Sequence, residues 1–144
     1  MVNGGYISGF SDGTFRGNEP ITRAQFVAIL TRFIGVLSVD CDFTDVPLSH
    51  WAYTYIATAT SAGWISGFAD GSFRPEQTIT RAQVMTIINR ALNRGVDAES
   101  TLPAGYQNYP DNPATAWHYY EVLEATNGHD YTGSRPSEDW TALR

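Results

Sequence analysis

Only one cysteine, Cys41, occurs in the 144 residues. No disulfide can close within the chain, and the thiol reads as a small buried apolar residue. No apolar run is long enough to span a bilayer, so membrane insertion is not expected. No basic-then-apolar leader opens the chain. Its start, Met1-Val2-Asn3-Gly4-Gly5, reads as a cut within a longer protein rather than a natural beginning. Positive charge is also scarce, with 9 Lys+Arg against 15 Asp+Glu and a formal net charge of −6. That balance disfavours nonspecific nucleic-acid binding. No cofactor motif is found.

Apolar residues, by contrast, make up 42% of the chain and aromatics 13%. A chain of this length can hide about 68–70% of its unfolded surface, so a self-supporting core is expected and disorder is not.

The chain repeats itself. When it is slid along its own length, Gly5, Ile7, Ser8, Gly9, Phe10, Asp12, Gly13, Phe15 and Arg16 fall on Gly63, Ile65, Ser66, Gly67, Phe68, Asp70, Gly71, Phe73 and Arg74. In the same register Ile21-Thr22-Arg23-Ala24-Gln25 falls on Ile79-Thr80-Arg81-Ala82-Gln83 without a gap. A weaker echo places Asp45, Trp51, Tyr53, Ile56 and Ala59 on Asp111, Trp117, Tyr119, Val122 and Ala125. One complete repeat therefore spans 42–94. Residues 1–36 are the second half of a repeat, and 107–144 form a divergent terminal one. Such units are too small to bury a helix face alone and must pack on one another.

The expected fold is mainly α, with short helices joined by glycine-rich loops. Phe26, Ile29, Leu30, Phe33 and Ile34 recur at helical spacing after Thr22, as do Val84, Ile87, Ile88, Ala91 and Leu92 after Thr80. A third helix is predicted from Ser49 and a fourth from Thr115, with Trp51 and Trp117 as core anchors. Pro136-Ser137 predicts a last short helix, capped by Ser137, with Trp140 and Leu143 facing inward. Residues 95–108 read as a linker.

Thr-x-x-Gln before an apolar run is a capping box. Thr22 with Gln25, and Thr80 with Gln83, are each expected to close a helix start, worth about 1 kcal/mol. The cap does not account for Arg23 and Arg81. A cation in the first helical turn opposes the helix dipole, by about 0.3–1 kcal/mol when exposed. It calls for either an internal carboxylate, such as Asp12 or Asp70, or an external anion held by free amides and the guanidinium. The loop glycines Gly9 and Gly67 supply positive φ or close backbone approach. Trp64 and Tyr6 occupy matching positions, open equally to core packing and to ligand contact.

Other chemistry is weakly supported. Ser49, His50 and Asp45 hold the ingredients of a triad, but Ser49 reads better as a helix cap. His118, His129 and Asp130 lack zinc spacing, and His129-Asp130 reads as a polar loop, so no metal is expected. The aspartate loops lack the alternating oxygens and terminal glutamate of a calcium site. No catalytic residue is assigned.

Taken in order, Phe43-Thr44-Asp45-Val46, His50-Trp51-Ala52, Gly63-Trp64-Ile65-Ser66-Gly67, Asp70-Gly71-Ser72-Phe73-Arg74-Pro75 and Ile79-Thr80-Arg81-Ala82-Gln83 resemble the S-layer homology repeat. With the partial copies, the resemblance covers nearly all of residues 5–125. It implies three repeats in a pseudo-threefold bundle and a noncatalytic, extracellular anchor on a bacterial cell wall. The implied partner is an anionic secondary cell-wall polysaccharide, bearing a pyruvylated sugar whose carboxylate meets the motif arginine. The implied site is built from Arg23, Arg81, Thr22, Thr80, Gln25 and Gln83. Gly9, Gly67, Asp12, Asp70, Tyr6 and Trp64 flank it. This chain departs from the pattern at Gln25 and Gln83, which stand where the family has glutamate, and at Gly17, which stands where the second copy has Pro75. Its third copy lacks the aspartate loop and the arginine helix. Closure of the threefold is therefore left to the last helix, to upstream sequence, or to a second chain in a homo-oligomer. A protein–protein or self-assembly scaffold is the alternative function.

Overall fold

The computed structural model describes residues 7, 9, 11–133, 135 and 137–144. It contains two compact units, residues 1–79 and 80–144. Among the described residues it has four helices and two short strands, a mainly α architecture as expected.

In the first unit, α1 (Arg23–Ile34) begins at the predicted capping box: the Thr22 side chain accepts from Gln25 N, and the Gln25 side chain accepts from Thr22 N. Its buried face differs from the predicted one. Arg23, Ala24, Val27, Ala28 and Thr31 point inward, while Phe33 is 61% exposed. The cause lies at the first turn. The Arg23 side chain reaches inward to carbonyls of the later loop, which turns the helix so that the i, i+4, i+8 row of Arg23, Val27 and Thr31 faces the core. The helix α2 (Tyr53–Ser61) packs on α1 through a face that includes Ile56, Ala57 and Ala59. It starts later than predicted. Ser49 is not its cap; a run of turns (His50 N to Pro47 O, Tyr53 N to His50 O) precedes an N-cap at Ala52 that has no side-chain bond. Trp51 thus lies ahead of the helix and is 55% exposed, not a core anchor.

In the second unit, α3 (Arg81–Ala91) carries the second capping box and packs on α4 (Tyr119–Thr126). The Asn89 amide donates to both the backbone and the carboxylate of Glu121. Trp117 also precedes its helix and is 67% exposed, so it too is no core anchor. The predicted terminal helix is instead a hairpin. Strand β1 (His129–Thr132) pairs antiparallel with β2 (Asp139–Leu143), with His129 opposite Leu143 and an irregularity between Asp130 and Tyr131. Ser137 bonds the Asp97 carboxylate rather than capping a helix, and Pro136 lies outside the described residues. Trp140 does face inward, in a core with Val96, Tyr119 and Leu123. Residues 95–108 do more than link. Val96 belongs to that core, Leu102 and Tyr106 pack against it, and Thr101 O accepts from Trp140 N.

Candidate functional site

The two arginine-bearing helix starts have the same local sequence and different surroundings. At α1 the first-turn amides are answered from within: Arg23 N donates to Gln77 O at 2.8 Å, Ala24 N to Pro75 O at 3.0 Å and Gln25 N to Thr22 Oγ1 at 3.2 Å. Arg23 is 3% exposed. Its Nε donates to Phe73 O at 3.0 Å and one Nη to Ser66 O at 3.1 Å. Its centre lies 5.0 Å from the Phe68 ring and 4.7 Å from the Phe73 ring, within cation–π range. Burial, with the Arg74 charge adding to it, pulls its pKa below the ordinary arginine value. Carbonyls and rings, rather than a carboxylate, answer this cation.

At α3 only part of the start is closed. Gln83 N is capped by Thr80 Oγ1 at 3.3 Å, and Thr80 N by Gln83 Oε1 at 3.1 Å. The amides of Arg81 and Ala82 have no acceptor among the described residues. Arg81 is exposed, and its guanidinium makes no hydrogen bond or ion pair there. Two amides without acceptors at the positive end of a helix, beside an exposed guanidinium, are donors that can hold an anion.

The loop aspartates are spent locally. Asp12 accepts from Thr14 N and Thr14 Oγ1 and pairs with Arg16 at 2.7 Å; Asp70 accepts from Ser72 N and Ser72 Oγ and pairs with Arg74 at 2.9 Å. Bonds to Thr14, then Arg16, pull Asp12 down to about 2, and Asp70 is lowered in the same way by Ser72 and Arg74. Arg16 and Arg74 both adopt positive φ, 55° and 57°. The glycines serve the loops' own closure. A Cβ on Gly67 would lie 2.3 Å from Phe43 Cε1 and 2.8 Å from Ser72 O, and one on Gly9 would lie 2.7 Å from Thr14 O. Trp64 is half-buried, and Tyr6 lies outside the described residues. Asp45, His50 and Ser49 form no triad: Asp45 holds the amides of Phe73 and Arg74, and His50 Nδ1 accepts from Ala52 N.

Sequence reasoning missed a buried charge network in the second unit. Glu124, His129 and Glu138 bring one ligand-type atom each within 4.8 Å of one another. His129 is therefore not part of a polar loop; its ring stacks on Trp140 with centroids 4.1 Å apart. Glu124 is occupied by Arg94 at 2.7 Å, with Trp140 Nε1 at 3.3 Å and His129 Nε2 at 3.5 Å on its other oxygen. Glu138 Oε1 accepts from Gly95 N, and its Oε2 is buried without a partner among the described residues. Burial, then the Glu124 charge, pushes the Glu138 carboxyl above its ordinary range, against the opposing pull of Gly95 N, Arg94 and His129. A carboxyl with a raised folded pKa adds stability that is fully present below its unfolded pKa and is lost as pH rises through the folded value. Chemical denaturation between pH 4 and 8 should show this loss in the wild type and a smaller one in Glu138→Gln. Nearby, Arg94, Gly128, His129, Asp130, Tyr131 and Arg144 line a cavity of about 430 Å³. Its arginines are already paired, Arg94 with Glu124 and Arg144 with Asp130, so it offers an anion far less than α3 does.

With this geometry in hand, likeness to known proteins is decisive. The S-layer homology domain profile matches residues 3–27 and 42–85. The chain belongs to the S-layer homology family. It is 35% identical over 131 residues to a cellulosome-anchoring protein of Acetivibrio thermocellus, covering 87% of this chain and 28% of that protein. It is 30% identical over 151 residues to cell surface glycoprotein 1 of the same organism, covering 96% of this chain and 6% of that protein. An endoglucanase of Bacillus sp. (strain KSM-635) is 35% identical over 106 residues, covering 74% of this chain and 11% of the enzyme. The chain thus spans between 6% and 28% of the length of these relatives. Relatives named for anchoring, surface layers and cell walls give the bacterial cell-surface setting that the resemblance implies.

Proposed function

We propose that this S-layer homology module is a noncatalytic anchor that holds a bacterial surface protein to the cell wall by binding an anionic polysaccharide at the start of α3. The relatives named for anchoring support the anchoring role. The observation that carries the rest is the contrast between the two helix starts. The amides of Arg81 and Ala82 lack acceptors among the described residues, whereas those of Arg23 and Ala24 are answered by Gln77 and Pro75. A pyruvyl carboxylate fits the open start: it accepts two amide hydrogens on one side and the Arg81 fork on the other. Thr80 and Gln83 fix the helix start so that these donors need no rearrangement. Arg23 acts as an internal strut.

The protein's net charge of −6 opposes long-range attraction to an anionic polymer. Binding then rests on local hydrogen bonds, and affinity should fall only modestly from low to physiological salt. Titration of the purified protein with isolated wall polymer, before and after removal of its pyruvyl groups, tests the ligand chemistry. The intact polymer is expected to bind and the depyruvylated one to lose about tenfold or more, the worth of charge-assisted hydrogen bonds. Equal affinity for both would refute the carboxylate as the epitope.

A further inference from the structure

Three buried side chains converge where the hairpin folds back on α4. Glu124 comes from α4, His129 from β1, and Glu138 stands just before β2. Glu124 and Glu138 are each 1% exposed, and the three bring one ligand-type atom each within 4.8 Å of one another. His118 and Asp130 take no part: His118 Nδ1 meets Asn112 Oδ1, and Asp130 pairs with Arg144.

Each of the three side chains is held through one atom and offers another. Arg94 pairs with Glu124 Oε1 at 2.7 Å. Gly95 N donates to Glu138 Oε1 at 3.1 Å, and Glu138 N donates back to Gly95 O at 3.1 Å. His129 Nδ1 lies 2.8 Å from Asn127 O. A carbonyl only accepts, so Nδ1 carries the proton and the neutral ring keeps its lone pair on Nε2. That nitrogen faces Glu124 Oε2 at 3.5 Å. Glu138 Oε2 is buried with no partner among the described residues. Trp140 Nε1 donates to Glu124 Oε2 at 3.3 Å and leaves the other two unmet. Buried acceptors left bare are costly, charged ones most of all. A single proton bridges at most two of these atoms, whereas one divalent cation meets all three.

The geometry points to a site for one divalent transition-metal ion, zinc by its donor set, held by Glu124 Oε2, His129 Nε2 and Glu138 Oε2. One imidazole nitrogen with two carboxylate oxygens suits zinc, while calcium and magnesium favour all-oxygen sets. Tetrahedral zinc, with ligands at about 2.0–2.2 Å, sets them about 3.3–3.6 Å apart. His129 Nε2 and Glu124 Oε2 already stand at that separation. Arg94, Gly95 and Asn127 supply the outer contacts that orient metal ligands. The cavity lined by Arg94 and His129 gives the ion its approach. Bound there, the ion staples the hairpin to α4, and its binding energy adds to the stability of the second unit. The inference stands apart from glycan binding at α3, and either can fail without the other.

Whole protein, stripped with a chelator and then dialysed against buffered zinc, tests the site. One zinc per chain should be retained. The melting temperature should rise by at least about 5 °C when free zinc stands at about 100 times its dissociation constant. X-ray absorption at the zinc edge should show nitrogen and oxygen donors without sulfur, which sets Cys41 aside. Glu138→Gln keeps the shape of the side chain and should fold, yet bind zinc at least about tenfold more weakly. Should that variant not fold, the wild type still decides. On zinc addition the His129 Nε2 resonance should shift, with those of His50 and His118 unmoved. No retained zinc, a sulfur donor, an unmoved His129 ring, or equal affinity in folded Glu138→Gln overturns the inference.

Discussion

Replacing Arg23 with alanine is expected to cost the first unit about 3 kcal/mol of stability, while leaving glycan binding at α3 in the folded protein unchanged. The magnitude follows from what the side chain holds. Removing it orphans the buried carbonyl of Phe73, and a buried unsatisfied acceptor costs about 1–3 kcal/mol, while the carbonyl of exposed Ser66 is left to water. It also takes a cation from beside the rings of Phe68 and Phe73 and leaves a void under them. Arg23→Lys should recover little, because an ammonium cannot span both carbonyls in the plane of a guanidinium fork. Urea unfolding followed by tryptophan fluorescence gives the difference. A loss under about 0.5 kcal/mol, typical of surface substitutions, would show that the strut is not structural.

The same replacement at Arg81 should have the opposite profile. The side chain is exposed and holds nothing within the described protein, so Arg81→Ala should leave the unfolding midpoint nearly unchanged. A slight gain is reasonable, because the substitution removes a cation from the positive end of a helix dipole. Affinity for pyruvylated wall polymer should fall about 10- to 100-fold, the value of a charge-assisted hydrogen-bonding pair. Calorimetric titration of wild type, Arg23→Ala and Arg81→Ala against one polymer preparation separates strut from receptor. Binding lost with Arg23→Ala and kept with Arg81→Ala would reverse the assignment.

Two helix starts with the same sequence thus sit in different surroundings, and the difference shows how far the sequence could be read. The capping boxes were legible because Thr-x-x-Gln is a contact within one helical turn, and both formed as predicted. The mainly α character followed from apolar spacing. The fate of Arg23 was not legible. Its partners Ser66, Phe68 and Phe73 are tens of residues away, and nothing local to Thr22–Gln25 announces them. The inward rotation of α1 follows from that same distant anchor, so the row of larger apolar residues is not the core face. Trp51 and Trp117 misled because tryptophan at helical spacing suggests burial, whereas consecutive turns delay both helices beyond them. The terminal hairpin was missed because Trp140 and Leu143 fit a helical spacing over a window too short to tell helix from strand. Trp140 N and Glu138 N also bond Thr101 O and Gly95 O, in a stretch that reads as linker. The Glu124–His129–Glu138 network was hidden for a related reason: its members meet only once the hairpin folds back on α4.

Backbone amide chemical shifts of the protein, followed during addition of a pyruvylated wall-polymer fragment, test the central claim most directly. The account predicts saturable shifts at the Arg81 and Ala82 amides and at the Arg81 side chain, with the Arg23 and Ala24 amides unmoved. Shifts confined to Arg23 and Ala24, or saturable binding that leaves Arg81 and Ala82 untouched, would contradict it.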